Sequence, residues 1–135
     1  MNLLVIDAQG GGVGKQLVTA IKRDFPDVEI TAVGTNSVAT GAMLKAGADH
    51  GATGENAVIV GARKADIIAG PIGIVIADSL YGEITPKMAL AVAQSNAKRI
   101  LIPFNHCDNI IAGVSDLSVG KLIQSAVEEI RKSLA

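Results

Sequence analysis

The residues best suited to chemistry come early. Gln9-Gly10-Gly11-Gly12-Val13-Gly14-Lys15 places four glycines in five positions with a lysine behind them. A missing Cβ lets main-chain N–H groups approach phosphate oxygens closely and opens φ values closed to other residues. If this turn joins a strand to a helix, its amides lie at a helix N-terminus, where negative charge is favoured. Lys15 would add a full positive charge. A tight strand-to-helix turn needs fewer glycines than this, so the cluster points to a phosphate-bearing ligand as well as to turn geometry.

Two phosphate-binding patterns compete for these residues. The dinucleotide fingerprint G-x-G-x-x-G aligns on Gln9, Gly11 and Gly14, with its first glycine replaced; starting at Gly10 instead puts Lys15 third. The acidic residue that normally reads a ribose 2′-hydroxyl at the end of the second strand has no counterpart, because Gly34, Thr35 and Asn36 stand there. Thr35 and Asn36 offer hydrogen bonds to a ribose or a 2′-phosphate, but no arginine sits beside them. The ATPase phosphate loop would need a glycine at Gln9 and a hydroxyl at Gln16 to hold magnesium, so ATP turnover is the weaker reading.

A second cluster, Asn105-His106-Cys107-Asp108, combines a nucleophile, a base and a carboxylate. Neighbours on an extended chain point to opposite sides, and a catalytic cysteine and histidine usually meet from distant positions. Cys107 therefore reads as a small, partly buried thiol and His106 as a loop residue. His50 is the only other histidine, and no metal-binding spacing exists, so no metal site is expected.

The elements that must position these groups follow from periodicity. Leu3 to Ile6 is a continuous apolar run ending at Asp7, as in a strand covered on both faces. Leu17, Ile21 and Phe25 then fall on one helical stripe, which Pro26 ends. Val28 to Val33 alternates like a strand nearer the edge, and Asn36 or Ser37 caps a helix that Gly47 stops with a positive φ. Asp49 to Glu55 has no apolar period and reads as an ordered loop. Asn56 to Ala62 is helix or strand, Ala65 to Ala69 the third strand, and Gly73 to Ser79 a helical turn. Thr85-Pro86 opens a helix over Met88 to Ser95, with a capping hydroxyl and a proline at the first helical position. Ile100 to Ile102 is the fourth strand and Ile110 to Val114 a short final one. Ser115 or Asp116 then caps a helix with the stripe Ile123, Val127, Ile130 and Leu134, and with Glu128 and Lys132 paired outside. Strands alternating with helices require crossovers and hence a parallel sheet covered on both faces. The expected fold is a single Rossmann-like three-layer α/β domain over residues 1–135, with a mostly parallel sheet of about five strands. Its ligand crevice, outside the carboxyl ends of the strands, would be lined by Asp7, Thr35 and Asn36, by Gly70 to Gly73 (Gly70 and Pro71 first among them), and by Asn105 onward, with Thr53 to Asn56 closing over it.

Composition narrows the function classes. Apolar residues make up 49% of the chain and aromatics 2%, so the core is aliphatic. Twelve basic and thirteen acidic side chains give a net charge of −1 with no basic stripe, which argues against nucleic acid as a partner. The longest internal apolar run is far shorter than the roughly 20 residues that span a bilayer, so no membrane segment is expected. One cysteine excludes an internal disulfide and fits a reducing compartment, so a cytoplasmic location is expected. Sheet edges and apolar helix faces in so small a domain make a homodimer the expected assembly.

Several further motifs stand beside the glycine turn: Gly34-Thr35-Asn36, Ala46-Gly47-Ala48-Asp49, Gly51-Ala52-Thr53-Gly54-Glu55-Asn56, Gly70-Pro71-Ile72-Gly73 and Gly82-Glu83-Ile84-Thr85-Pro86. With them the chain resembles, over nearly its whole length, a family of short bacterial proteins of unknown function found mainly in anaerobic Firmicutes. That resemblance implies a stand-alone cytoplasmic Rossmann-like protein and supplies no catalytic residues. The residues themselves favour a nucleotide- or dinucleotide-binding protein that holds phosphate on Gln9 to Lys15, with NAD or NADP as the candidate cofactor and Thr35 and Asn36 at the ribose. A non-catalytic regulatory or interaction module on the same fold is the alternative, and a small phosphotransferase stands behind both.

Overall fold

A computed structural model of the chain describes residues 1–104, 109–114 and 117–134. Strand β1 (Leu3–Asp7) is buried along its whole length, as the uninterrupted apolar run requires of a strand covered on both faces. Helix α1 (Gly12–Asp24) starts inside the glycine cluster, buries Leu17, Val18 and Ile21, and places Lys22 and Arg23 in its last turn, where cations suit the helix dipole. Strand β2 (Ile30–Gly34) leads to helix α2 (Ser37–Lys45), capped by Asn36, whose side-chain oxygen accepts from the Ala39 amide at 2.9 Å. Gly47, at φ 120°, stops it. Strand β3 (His50–Thr53) and helix α3 (Glu55–Lys64) follow, then strand β4 (Ile67–Pro71) and a 3-10 turn (Ile72–Val75). Helix α4 (Pro86–Gln94) is capped by the Thr85 hydroxyl, which accepts from the Met88 amide at 3.1 Å. Strand β5 (Lys98–Ile102) and helix α5 (Val119–Leu134) complete the described elements.

The five strands form one sheet in the order β3-β2-β1-β4-β5, and every pairing is parallel. This is the Rossmann strand order through its fifth strand, with the reversal of winding between β1 and β4. The chain steps outward from β1 through β2 to β3, crosses back to β4, and steps outward the other way to β5. The connections therefore diverge above the carboxyl ends of β1 and β4, the place where such sheets take their ligands.

Alternate residues of β1 serve two separate cores. Leu3 and Val5 pack with Leu17 and Ile21 of α1, Met43 of α2, and Ile123 and Val127 of α5. Leu4 and Ile6 pack with Val58 of α3 and Met88 and Val92 of α4. The domain is thus a three-layer α/β sandwich, as the alternation of elements predicts, with α1, α2 and α5 on one face and α3 and α4 on the other.

Some boundaries differ from expectation. Within the segment read as a loop lies β3, an edge strand all of whose residues are exposed, so it carries no apolar period. Its presence moves β2 one place inside the edge. Asn56 to Ala62 is helical, with Val58 and Ala62 buried one turn apart. Ile110 to Val114 is not a strand: Ile110 is 92% exposed and Gly113 turns the chain at φ 81°. On α5, Glu128 pairs with Arg131 at 3.2 Å and Glu129 with Lys132 at 3.3 Å, in place of the expected Glu128–Lys132 pair. The proposed caps Ser115 and Asp116 lie outside the described residues.

Candidate functional site

The glycine turn sits at the carboxyl end of β1, where the winding reverses. Its N–H of Gly11 donates to the Ala8 carbonyl at 3.0 Å, and Gln9 and Gly11 have φ values of 53° and 75°. The four glycines divide into two pairs. A Cβ on Gly11 would lie 2.9 Å from the Ala39 Cα of α2, and one on Gly14 would lie 2.6 Å from the Met43 sulfur and 2.9 Å from the Asp7 Cβ. These two are required by packing. Gly10 and Gly12 are exposed, and nothing lies within 4 Å of where their Cβ atoms would stand. The left-handed Gln9 and the two packed glycines, Gly11 and Gly14, fall at the spacing of the alignment on Gln9, Gly11 and Gly14.

Asp7 organises the inward side of the turn. It is 5% exposed, its Oδ1 accepts from the Ala8 amide at 2.8 Å, and its Oδ2 accepts from the Gly14 amide at 2.6 Å. Gly11 at the helix N-cap has no side chain to offer, so a carboxylate from the end of β1 satisfies the first turn of α1 instead. Burial pushes the Asp7 carboxyl above its ordinary range; the Gly14 and Ala8 amides oppose this, and the nearby Glu83 charge adds to it. Two amides of the turn remain. Among the described residues, the N–H groups of Gly10 and Gly12 have no hydrogen-bond acceptor.

Between the glycine turn and the end of β2 stands a residue that sequence reasoning did not select. The Oε1 of Glu83 accepts three hydrogen bonds, from the Gln9 amide at 2.9 Å, the Thr35 hydroxyl at 2.6 Å and the Asn36 side-chain amide at 2.8 Å. Partial burial raises its pKa, but the bonds from Thr35, Gln9 and Asn36 outweigh burial and hold the carboxyl below its ordinary range. Leu80, Tyr81 and Gly82, just before it, have consecutive left-handed φ values of 55°, 57° and 82°. Each non-glycine residue in that region carries about 1–2 kcal/mol of strain. The segment is pinned by the buried side chains of Leu80 and Ile84 and by the buried Ser79 hydroxyl, which donates to the Gly73 carbonyl. Tyr81, between the anchors, is 94% exposed.

The structure brings most of the predicted residues together. Gln9 to Gly14, Thr35 and Asn36 surround Glu83 and Asp7, and the Asn36 amide also donates to the Gln9 carbonyl at 3.0 Å. The Val13 side chain is buried in the core, while Lys15 is exposed in the first turn of α1. Gly70 and Pro71 end β4 and are buried; a Cβ on Gly70 would strike the Ile6 carbonyl oxygen, so glycine lets β4 lie close to β1. Thr53 shares a 2.7 Å hydrogen bond with Thr40, and Glu55 accepts from the Thr85 hydroxyl at 2.6 Å. Asn105, with His106, Cys107 and Asp108, lies outside the described residues. Glu83 stands within the Gly82 to Pro86 motif, but nothing in the sequence gives it a site role, because its partner Thr35 is 48 residues away. Its only local signal is a turn glycine before it and the Thr85-Pro86 helix start after it.

No helix among the described residues is long and apolar enough to cross a membrane. Among solved structures, the chain is similar to a dodecameric FMN-dependent UbiX-like decarboxylase from Escherichia coli O157:H7. The identity is 16% and the TM-score 0.46, over 99% of this chain and 94% of that one. No curated protein matches the chain. The family of this protein is shown by a match over residues 2–135: the chain belongs to the family described as a domain of unknown function, DUF3842.

Proposed function

We propose that this protein binds a nucleotide or dinucleotide whose phosphate rests on the unpaired amides of Gly10 and Gly12, with NAD and NADP as the candidate cofactors. One observation carries the reading: Gly10 and Gly12 are exposed, nothing lies within 4 Å of where their Cβ atoms would stand, and their N–H groups have no acceptor among the described residues, at the winding reversal of a Rossmann sheet. Asp7 meets the inward amides, so the turn is formed before any ligand arrives and binding carries little ordering penalty. Lys15 stands in the first helical turn to add charge. A P-loop mode has no support, since the Gln16 side-chain amide donates to the Gly12 carbonyl at 3.3 Å and brings no hydroxyl to a metal.

Isothermal titration with NAD, NADP, FAD, ATP and a sugar phosphate tests the proposal. Saturable binding by at least one of them is expected, with Gly12→Val abolishing it while the melting temperature holds. No response from any of these probes refutes the reading. The second reading, a non-catalytic module, is favoured by Asp7 and Glu83, which complete the turn with the protein's own carboxylates. Its mark would be an inert purified protein recovered in complex with another chain.

A further inference from the structure

We infer that Glu83 is the specificity residue of this site: its second carboxylate oxygen accepts from the ribose 2′-hydroxyl of a bound dinucleotide and turns away a 2′-phosphate. The inference rests on the dinucleotide reading above and adds to it the choice between cofactor classes. In Rossmann proteins an acidic residue at the end of the second strand reads that hydroxyl, and Gly34-Thr35-Asn36 lacks one. The fold restores the carboxylate from elsewhere. Glu83 stands against the Thr35 hydroxyl and the Asn36 amide, at the end of β2, and against the Gln9 amide, at the entry to the glycine turn.

The bonding pattern separates a fixed oxygen from an available one. All three donors converge on Oε1, which locks the side chain; Oε2 has no donor among the described residues. A carboxylate at neutral pH only accepts, so what Oε2 can take from a ligand is a hydroxyl or an N–H, while a phosphate there meets like charge. The left-handed run Leu80-Tyr81-Gly82 is the backbone device that turns Glu83 toward β2, and strain of this kind persists where surrounding structure enforces it at functional positions.

The test compares NAD with NADP on the whole chain by titration calorimetry, in wild type and in Glu83→Gln. Glutamine keeps a carbonyl oxygen for the Gln9, Thr35 and Asn36 donors and replaces only the available oxygen with a donor. A purely structural role therefore leaves the NAD-to-NADP ratio unmoved. Wild type is expected to prefer NAD by about tenfold or more, the worth of one hydrogen bond to a charged group, and Glu83→Gln to erase or reverse that preference. Equal affinity in wild type, tighter NADP binding, or an unchanged ratio in the variant overturns the inference and leaves the phosphate site standing. A wild-type ratio that does not favour NAD overturns the inference even if the variant does not fold. Binding of neither dinucleotide, with ATP or a sugar phosphate still bound, overturns this inference alone; silence from every probe removes the phosphate site as well.

Discussion

Replacing Gly11 and Gly12 by alanine, one at a time, separates a glycine required by the fold from one with open surroundings. At Gly11 the new methyl group meets a left-handed backbone, φ 75°, and lies 2.9 Å from the Ala39 Cα and 3.0 Å from its carbonyl oxygen. Both obstacles are main chain of α2 and cannot swing aside. The left-handed conformation costs about 1–2 kcal/mol for a non-glycine residue, and overpacking adds about 1–3 kcal/mol, so Gly11→Ala loses roughly 2–5 kcal/mol. At Gly12 nothing lies within 4 Å, and the residue is the first of α1. Alanine there restricts the unfolded chain and gains up to about 1 kcal/mol. For 135 residues the unfolding entropy is about 0.28 kcal/mol/K, so each kcal/mol moves Tm by roughly 3.5 °C. Circular-dichroism melts should show Gly11→Ala falling by roughly 7–17 °C and Gly12→Ala unchanged or up by about 3 °C. Equal losses at the two positions would refute the division of the turn into packed and open glycines.

Three further outcomes follow from the geometry. Gln9→Gly keeps every main-chain bond of Gln9 and relieves its φ of 53°, so Tm should hold or rise by up to about 3 °C; a fall would mean that the glutamine side chain supports the turn. Thr85→Ala removes both the α4 cap and the hydroxyl bond to Glu55, lowering stability by about 1–2 kcal/mol in urea unfolding, while Thr85→Ser retains it. Two aspartates give opposite pH slopes. The Lys22 side chain and the Ile30 amide hold Asp49 below the ordinary aspartate range, so its contribution is present above that range and is lost as pH falls through the lowered value. Burial raises Asp7, so the native state holds its proton more tightly than the unfolded chain, and stability falls as pH rises from the ordinary aspartate range through the raised value. Urea midpoints from about pH 3 to pH 8 should lose the acid-side slope in Asp49→Asn and the opposite slope in Asp7→Asn.

What the sequence reveals depends on how local each cause is. Gly47 ends α2 with the positive φ its position predicts, and Thr85 caps α4 through the Met88 amide, because both effects act within one helical turn. The strand β3 is silent in the sequence, since an exposed edge strand held by a single neighbour needs no apolar alternation. The run Ala57-Val58-Ile59-Val60 hides a helix because only Val58, with Ala62 a turn later, is buried. At the site, the glycine turn was legible while its acidic lining was not. Asp7 was visible as a crevice residue but not as the acceptor for Ala8 and Gly14, and Glu83 reaches Thr35 only through the crossover and the left-handed turn before it.

The latch at Asp7 also answers how β1 finds its alignment. Leu3, Leu4, Val5 and Ile6 are all greasy, so sliding the strand by one residue would exchange one oily face for the other with little penalty in polarity. The count is kept at the two tips. The Asn2 main-chain N–H donates to the Asp66 carboxylate at 2.6 Å at one end, and Asp7 accepts from the Gly14 amide of α1 at the other. A slip of about 3.3 Å would unseat both together. Loss of Asp7 should therefore blur the sheet into several coexisting alignments, visible as doubled amide resonances along β1 and its two neighbours.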